Sequence, residues 1–352
     1  MAASNPEAKG TQADQTEERL LAPLLSVATS PHVRTIETIP RIMWTVNATL
    51  APVAIWAVYW FGWRALIHMV ICCAAAVATE WSIQRFRGVA ETWNDGSAFL
   101  TGLLLALCIP VGLEYWMAAL GSVFCIAVAK HTFGGLGQNI FNPAHAGRAF
   151  LLASFPVQMT TWTALTTPDG VTTATPLGIM SEAARLGQNG MPEVIASFGG
   201  RSEMYSSLFF GNVNGCLGEV SALLILLGGL FLIYKRYIFW QGPVCYIGTA
   251  ALLGWILGGD GLFGGDPLFH VLSGGLMIGA FFMLTDMVTS PITVKGQIVF
   301  AIGAGVLVFL IRQYGGYPEG VCYSILLMNC VTPLLDRIFK PQPPRAGQEV
   351  AA

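Results

Sequence analysis

The chain has 352 residues, 54% of them hydrophobic and only 11% charged, with a formal net charge of -2. A soluble domain of that size could not cover its surface with so few charges, so composition selects a polytopic membrane protein surrounded by lipid. The net charge says nothing useful about nucleic acid, but no Lys/Arg-rich run is present and no nucleic-acid partner is expected.

Residues 1–41 are polar and lack the short apolar core of a cleavable signal peptide, which reads as a cytoplasmic tail followed by insertion through internal spans. Beyond it, windows of roughly the length needed to cross a bilayer follow at residues 42–60, 65–83, 97–112, 115–131 and 143–161. After a long polar interval five more come at 219–234, 243–257, 268–286, 297–314 and 321–335. The third and eighth windows are interrupted by Gly and Pro, so broken helices are expected there.

The two sets of five resemble each other. Leu100-Thr101-Gly102-Leu103-Leu104 in the third window answers to Leu272-Ser273-Gly274-Gly275-Leu276 in the eighth. Phe133-Gly134-Gly135 after the fourth answers to Tyr314-Gly315-Gly316 after the ninth. An odd number of spans per copy inserts the second copy upside down. The expected fold is therefore an all-α polytopic membrane protein of about ten transmembrane helices in two inverted five-helix repeats, both termini cytoplasmic. Its parts are a tail over 1–41, a first repeat over 42–162, an outer loop over 163–218, a second repeat over 219–337 and a tail over 338–352. The orientation follows from Lys and Arg. One side collects Arg41, Arg85, Arg87, Lys130, Lys235, Arg236, Lys295 and both tails, while the other collects Arg64, Arg185, Arg201 and Arg312. The interval 163–218 then faces away from the cytoplasm.

Eight cysteines are present, none in C-x-x-C spacing and most inside apolar windows, so neither a disulfide framework nor a zinc or cluster site is indicated. Among ionisable groups in the spans, Glu80, Lys130, Asp286 and Arg312 fall near predicted ends, where snorkelling or interfacial pairing accounts for them. Arg148 lies within the fifth window and needs an acidic group, a ligand oxygen or a neighbouring protein. Phe133 to Ala144 is a glycine-rich turn leading to a helix with Asn142 as N-cap and Pro143 at its first position. Its exposed amides could also face a flavin, a quinone-like ring or an ion. Trp44, Trp60, Trp63, Tyr115, Trp116 and Trp240 read as interfacial anchors.

The unusual stretch is Pro168-Asp169-Gly170-Val171-Thr172-Thr173-Ala174-Thr175-Pro176. By composition it is a turn, with Pro176 opening a short helix. It also resembles the Asp-x-x-Thr-x-Ala-Thr signal at which a flavin transferase joins FMN through its phosphate to a threonine hydroxyl. The family that carries this signal in a membrane subunit is the RnfD/NqrB family of ion-translocating redox complexes. Thr173 stands where that family usually has Gly. The glycine-rich turn, the closing Tyr314-Gly-Gly-Tyr317-Pro318-Glu319-Gly320 string and Leu284-Thr285-Asp286-Met287-Val288-Thr289 carry the resemblance along the chain, the last with Met287 replacing a proline.

The resemblance implies covalent FMN at Thr175, with Asp169, Thr172 and Ala174 as its attachment motif. It extends to Asn142, Arg148 and Asp286 as further cofactor contacts, and to a second, noncovalent flavin such as riboflavin. It implies a D-type member of an Rnf complex in the bacterial inner membrane, with the Thr175 loop periplasmic. Its neighbours would be the A, B, C, E and G members of that complex, and a flavin transferase would mature it. The complex would couple NADH and ferredoxin or flavodoxin redox chemistry to Na+ or H+ movement. The competing expectations are a free-standing inverted-repeat transporter or channel, which needs no chromophore, and an NqrB-like component of a Na+-pumping NADH:quinone reductase.

Overall fold

Apolar runs bounded by Gly, Pro and capping residues become helices along the whole chain, and no strand occurs among the described residues. The computed structural model describes residues 37–162, 174–186, 190–211, 213–259, 261–316 and 319–340. Asp169 and Thr172 lie outside these residues.

In order, α1 is Ile39–Phe61, α2 Trp63–Arg87, α3 Ser97–Leu107 and α4 Tyr115–Phe124, which continues through π-helical turns over Cys125–His131. Then come α5 (Pro143–Ser154) and the single turn α6 (Pro156–Thr160). Three short helices follow, α7 (Pro176–Arg185), α8 (Met191–Phe198) and α9 (Arg201–Phe210). The remainder is α10 (Ala222–Tyr234), α11 (Gln241–Leu257), α12 (Pro267–Leu272), α13 (Leu276–Ile278) with π turns over Gly279–Met283, α14 (Val294–Tyr314) and α15 (Val321–Ile338). By length and composition α1, α2, α14 and α15 can each cross a membrane, and α3, α4, α10 and α11 are shorter apolar helices. This is a polytopic membrane protein.

Helix α2 packs on α3 and α4, and α11 packs on α12 and α14. Likewise α4 packs on α5 and α14 on α15, while α1 meets α10 and α5 meets α15. One apolar core runs through all of these, with Leu50, Leu105, Ile126, Leu151, Tyr246, Phe300 and Ile325 among its most enclosed side chains. The helices α7 to α9 gather a second, smaller core of Leu177, Met191, Val194, Met204 and Leu208 against Phe269 of α12.

Three expectations change. The third window does not run to residue 112, because Pro110 lacks a donor and the chain leaves the helix after Leu107. Arg312 does not snorkel: it is 6% exposed and turns inward, because α12 stops inside the protein and leaves carbonyls that need a donor. Lys130 and Glu80 pair as expected but not at an interface, being 2% and 1% exposed. The π turns carry Lys130 on a helix that packs against α2, where Glu80 meets it at 2.9 and 2.8 Å.

Candidate functional site

Thr175 immediately precedes α7, and its position is a capping one. The Thr175 Oγ1 accepts a hydrogen bond from the Gly178 N–H at 3.0 Å, and its carbonyl accepts from Ile179 N–H at 3.0 Å. Pro176 follows as the first helical residue, where its missing N–H costs nothing, and no acidic side chain stands in the first turn. The side chain is 5% exposed, at the base of a cleft that it shares with Leu177, Leu208, Gly274, Glu219 and Glu319. Ala174, the preceding motif residue, is exposed.

The floor of that cleft is the interruption between α12 and α13. Asp266 caps the start of α12 by accepting from Phe269 N–H at 3.1 Å. Six residues later the helix stops at Ser273-Gly274-Gly275, and Gly274 takes φ of 67°, a left-handed value open to Gly. The guanidinium of Arg312, on α14, donates to the carbonyls of His270 at 2.6 Å and Ser273 at 3.0 Å, so the broken end is satisfied from a neighbouring helix. A Cβ at Gly274 would lie 3.2 Å from Arg312 Nη2 and 2.6 Å from Leu177 Cδ1, and one at Gly275 would lie 3.2 Å from Glu219 Oε1. A cation therefore stands at the C-terminal end of one half-helix, and a carboxylate stands at the start of the next, each complementing the backbone dipole it meets.

The turn Cys216-Leu217-Gly218-Glu219 performs the same service for α3. Gly218 N–H donates to Leu107 O at 2.6 Å, Leu217 N–H to Ile109 O at 3.3 Å, and the Cys216 thiol to Cys108 O at 3.2 Å. Arg148 on α5 holds this turn in place: it donates to Cys216 Sγ at 3.4 Å and forms an ion pair with Glu319 just ahead of α15. Cys216 Sγ and carboxylate oxygens of Glu219 and Glu319 lie within 4.8 Å of one another. The positive charge among them is the Arg148 guanidinium, and we assign no metal there. Arg148 thus finds the acidic partner that its burial demanded, and Arg148 Nε and Glu219 Oε1 remain without a hydrogen bond.

A separate cavity lies among α1, α3, α5 and the residues after α13, with about 110 Å³ of space. Its walls are largely apolar, including Ile42, Phe281 and Phe282, and its polar groups include Asn142, Asp286, Thr101 and Lys130. Asn142 caps α5, accepting from Ala144 and His145 N–H, and its amide donates across the cavity to Met283 O at 3.3 Å. The Asp286 carboxylate accepts from Val288 N–H at 3.3 Å and from the Thr289 hydroxyl at 3.2 Å. Lys130 reaches Ser97 Oγ at 2.7 Å besides Glu80, and Ser97 in turn donates to Asp95 at 2.6 Å.

The expected site residues thus fall into two places. Asn142 and Asp286 line one cavity, Thr175 sits in another cleft, and Arg148 supports the floor of the second without lining either. Sequence reasoning gave no role to Glu219, Cys216 or Glu319. The available signal was an acidic residue three positions ahead of the unbroken apolar run of α10, and a second inside the Tyr-Pro-Glu-Gly string.

On α9, Tyr205 donates to Asp266, whose carboxylate also lies 3.9 Å from Arg201 Nη2. Partial burial and then the neighbouring Asp266 push the Tyr205 phenol up to about 12.

Comparison with known proteins agrees with these features. The family described as NQR2, RnfD, RnfE matches residues 26–344. The D component of a proton-translocating ferredoxin:NAD(+) oxidoreductase complex from Clostridium ljungdahlii is 53% identical over 328 residues, which are 92% of this chain and 97% of the relative. Its counterpart in a Na(+)-translocating ferredoxin:NAD(+) oxidoreductase complex from Acetobacterium woodii is 47% identical over 317 residues, 90% of this chain and 94% of the relative. The D component of an ion-translocating oxidoreductase complex from Stutzerimonas stutzeri is 40% identical over 329 residues, 86% and 91% of the two chains. With nearly the whole chain matched, and with relatives of this identity and coverage, the protein belongs to the NQR2, RnfD, RnfE family.

Proposed function

We infer that this chain is the D-type membrane component of an Rnf-type ferredoxin:NAD+ oxidoreductase, carrying FMN esterified to Thr175 and relaying electrons while the complex moves Na+ or H+. Relatives that are similar along almost their whole length are components of complexes of this kind, and their names divide between the two ions. The observation that carries the cofactor reading is the position of the Thr175 hydroxyl at the head of α7.

A phosphoester on that oxygen would place its phosphate at a helix N-terminus, where first-turn amides such as Gly178 N–H donate to anions. The first turn carries no carboxylate, and of the two that line the cleft, Glu219 and Glu319, the second is paired with Arg148. The flavin supplies the electron-accepting ring. The chain's own contribution is to tether that ring, to seat its phosphate on α7, and to hold the Gly274 break and Glu219 beneath the attachment point. Asp169 and Thr172 would serve recognition by the flavin transferase, with Ala174 between them and the acceptor.

A second, noncovalent flavin such as riboflavin would belong at the cavity lined by Asn142 and Asp286, which is apolar with convergent amide and carboxylate groups. Ten crossings in two inverted repeats fit the helix pairings. The α2 contacts with α3 and α4 recur as those of α11 with α12 and α14, and α1 with α10 and α5 with α15 are the pairs such symmetry would relate to themselves. Lys/Arg placement then sets both termini in the cytoplasm and Thr175 on the periplasmic face of the inner membrane. The A, B, C, E and G members would complete the complex.

The test is denaturing electrophoresis of the purified chain with in-gel flavin fluorescence, and mass analysis of the peptide spanning residues 169–185, from cells with and without the transferase. Fluorescence that survives denaturation, with the added mass on Thr175 only when the transferase is present, is the expected result. An unmodified Thr175 beside an active transferase would return the chain to the transporter reading.

A further inference from the structure

The acceptor that this reading requires is hidden in the folded protein. Thr175 is 5% exposed, its Oγ1 is engaged by Gly178 N–H at 3.0 Å, and Leu177, Leu208, Leu272 and Glu319 close around it. Even at Gly178 the fit is tight, since a Cβ there would lie 3.1 Å from Thr175 Oγ1. Leu177, two residues on, is anchored in the small core with Val194, Met204, Leu208 and Phe269, so the threonine cannot turn outward while α7 stays docked.

Phosphoester formation makes demands that this arrangement does not meet. The Thr175 oxygen must attack the phosphorus next to the flavin of a flavin dinucleotide donor. The pyrophosphate P–O bond breaks, the nucleoside monophosphate leaves with the electron pair, and the hydroxyl proton passes to a base on the transferase. The oxygen must therefore enter another protein's active site, in line with the leaving group and within about 3–3.5 Å of the phosphorus. A hydroxyl in a cleft walled by four side chains and spent on a helix cap cannot be presented in that way.

We propose that the flavin transferase acts on this chain before α7 docks, while Thr175 and the head of α7 stand free of the small core, and that closure of the α7–α9 layer afterwards seals the phosphoester at the head of α7. The proposal rests on the reading of Thr175 as the flavin acceptor and adds the state of the chain that the transferase recognises. Closure would then serve two ends. It puts the phosphate on the α7 amides, and it places the finished linkage out of reach of hydrolytic enzymes.

The experiment makes the full chain by cell-free synthesis into lipid nanodiscs, with transferase and flavin dinucleotide either present during synthesis or added after folding. The rate of mass gain on Thr175 is read in both arms. Modification during synthesis, with a rate at least tenfold lower when the transferase is added late, is the expected result. Val194→Ala and Met204→Ala, which thin the small core without touching Thr175, should each raise the late rate about tenfold by populating the undocked state. Equal rates in the two arms for the unaltered chain would overturn the proposal. Absence of any mass gain on Thr175 in either arm would instead overturn the flavin reading, and this inference with it.

Discussion

Two buried charge clusters sit in this protein, and they are built differently. Around Lys130 every hydrogen-bonding position of the ammonium is taken, by both Glu80 oxygens and by Ser97, and Gln84 donates to the same carboxylate at 3.1 Å. Around Arg148 the pairing with Glu319 leaves Arg148 Nε and Glu219 Oε1 without partners, and Arg312 close by spends its donors on backbone carbonyls, with its own Nε free. A cluster whose charges are saturated fixes helices, and at this one the buried nitrogen left without a hydrogen bond is His131 Nε2, 3.8 Å from Glu80 Oε1. An unsaturated one, lining a cleft and capping two broken helices, has polar capacity beyond what the fold uses.

The largest effect expected from this contrast is at Lys130. Lys130→Met strands the Glu80 carboxylate in the interior, which costs about 3–5 kcal/mol. Thermal unfolding in detergent should show the chain failing to accumulate or melting far lower. The double variant Lys130→Met/Glu80→Gln removes both charges and should recover most of the loss, because a well-packed neutral pair is nearly equivalent to a buried ion pair. At the other cluster Arg148→Met/Glu319→Gln should also fold, yet electron transfer through the assembled complex should fall well below that of the first double variant. Equal activity in the two double variants would remove the distinction between a structural and a functional cluster.

A smaller effect is expected at Arg312. Replacing it by Gln leaves one of the His270 and Ser273 carbonyls without a donor, at about 1–3 kcal/mol. Hydrogen exchange should localise the loss to α12 and the break that follows it. Uniform loss across α14 and α15 would mean that Arg312 supports its own helix more than the half-helix it caps.

How much of this was legible in the sequence follows the same division. The longest helices were, because Ile39–Phe61 and Val294–Tyr314 are long apolar runs, the second with Thr293 as its N-cap. Asn142 as an N-cap was legible too, since the Asn-Pro pair fixes that geometry locally. The partnership of Arg148 with Glu319 was not: 171 positions separate them, and only the fold brings α5 beside the turn before α15. Arg312 was misjudged for the same reason, because its position near a helix end says nothing about a broken neighbour. Pro176 signalled the start of α7, but α8 and α9 were hidden in an interval that looks polar on average, since the apolar residues of all three form a small core only when they meet Phe269.

A weaker tie holds the α7–α9 layer to α12. Gly274→Ala would force a non-glycine residue to φ of 67° and press its Cβ on Leu177, for about 1–2 kcal/mol. The loss should appear as earlier proteolysis of α7–α9 with the membrane helices still protected.

The smallest effect belongs to Tyr205, which ties α9 to α12 by donating to Asp266. Tyr205→Phe should cost at most about 1 kcal/mol, since the ring keeps its packing and the site is partly exposed. Its pH dependence has a definite sign. The folded-state phenol lies at about 12, above the ordinary value near 10, because partial burial and then the bond to Asp266 favour the protonated form. The contribution is therefore complete below about pH 10 and declines as the pH rises toward about 12, where the unfolded chain releases the proton first. Limited proteolysis of α7–α9 between pH 7 and 9 should then be independent of pH in the parent chain, and equally so, at a slightly faster rate, in Tyr205→Phe. A parent chain that loosened across that interval would place the tie elsewhere than in the protonated phenol.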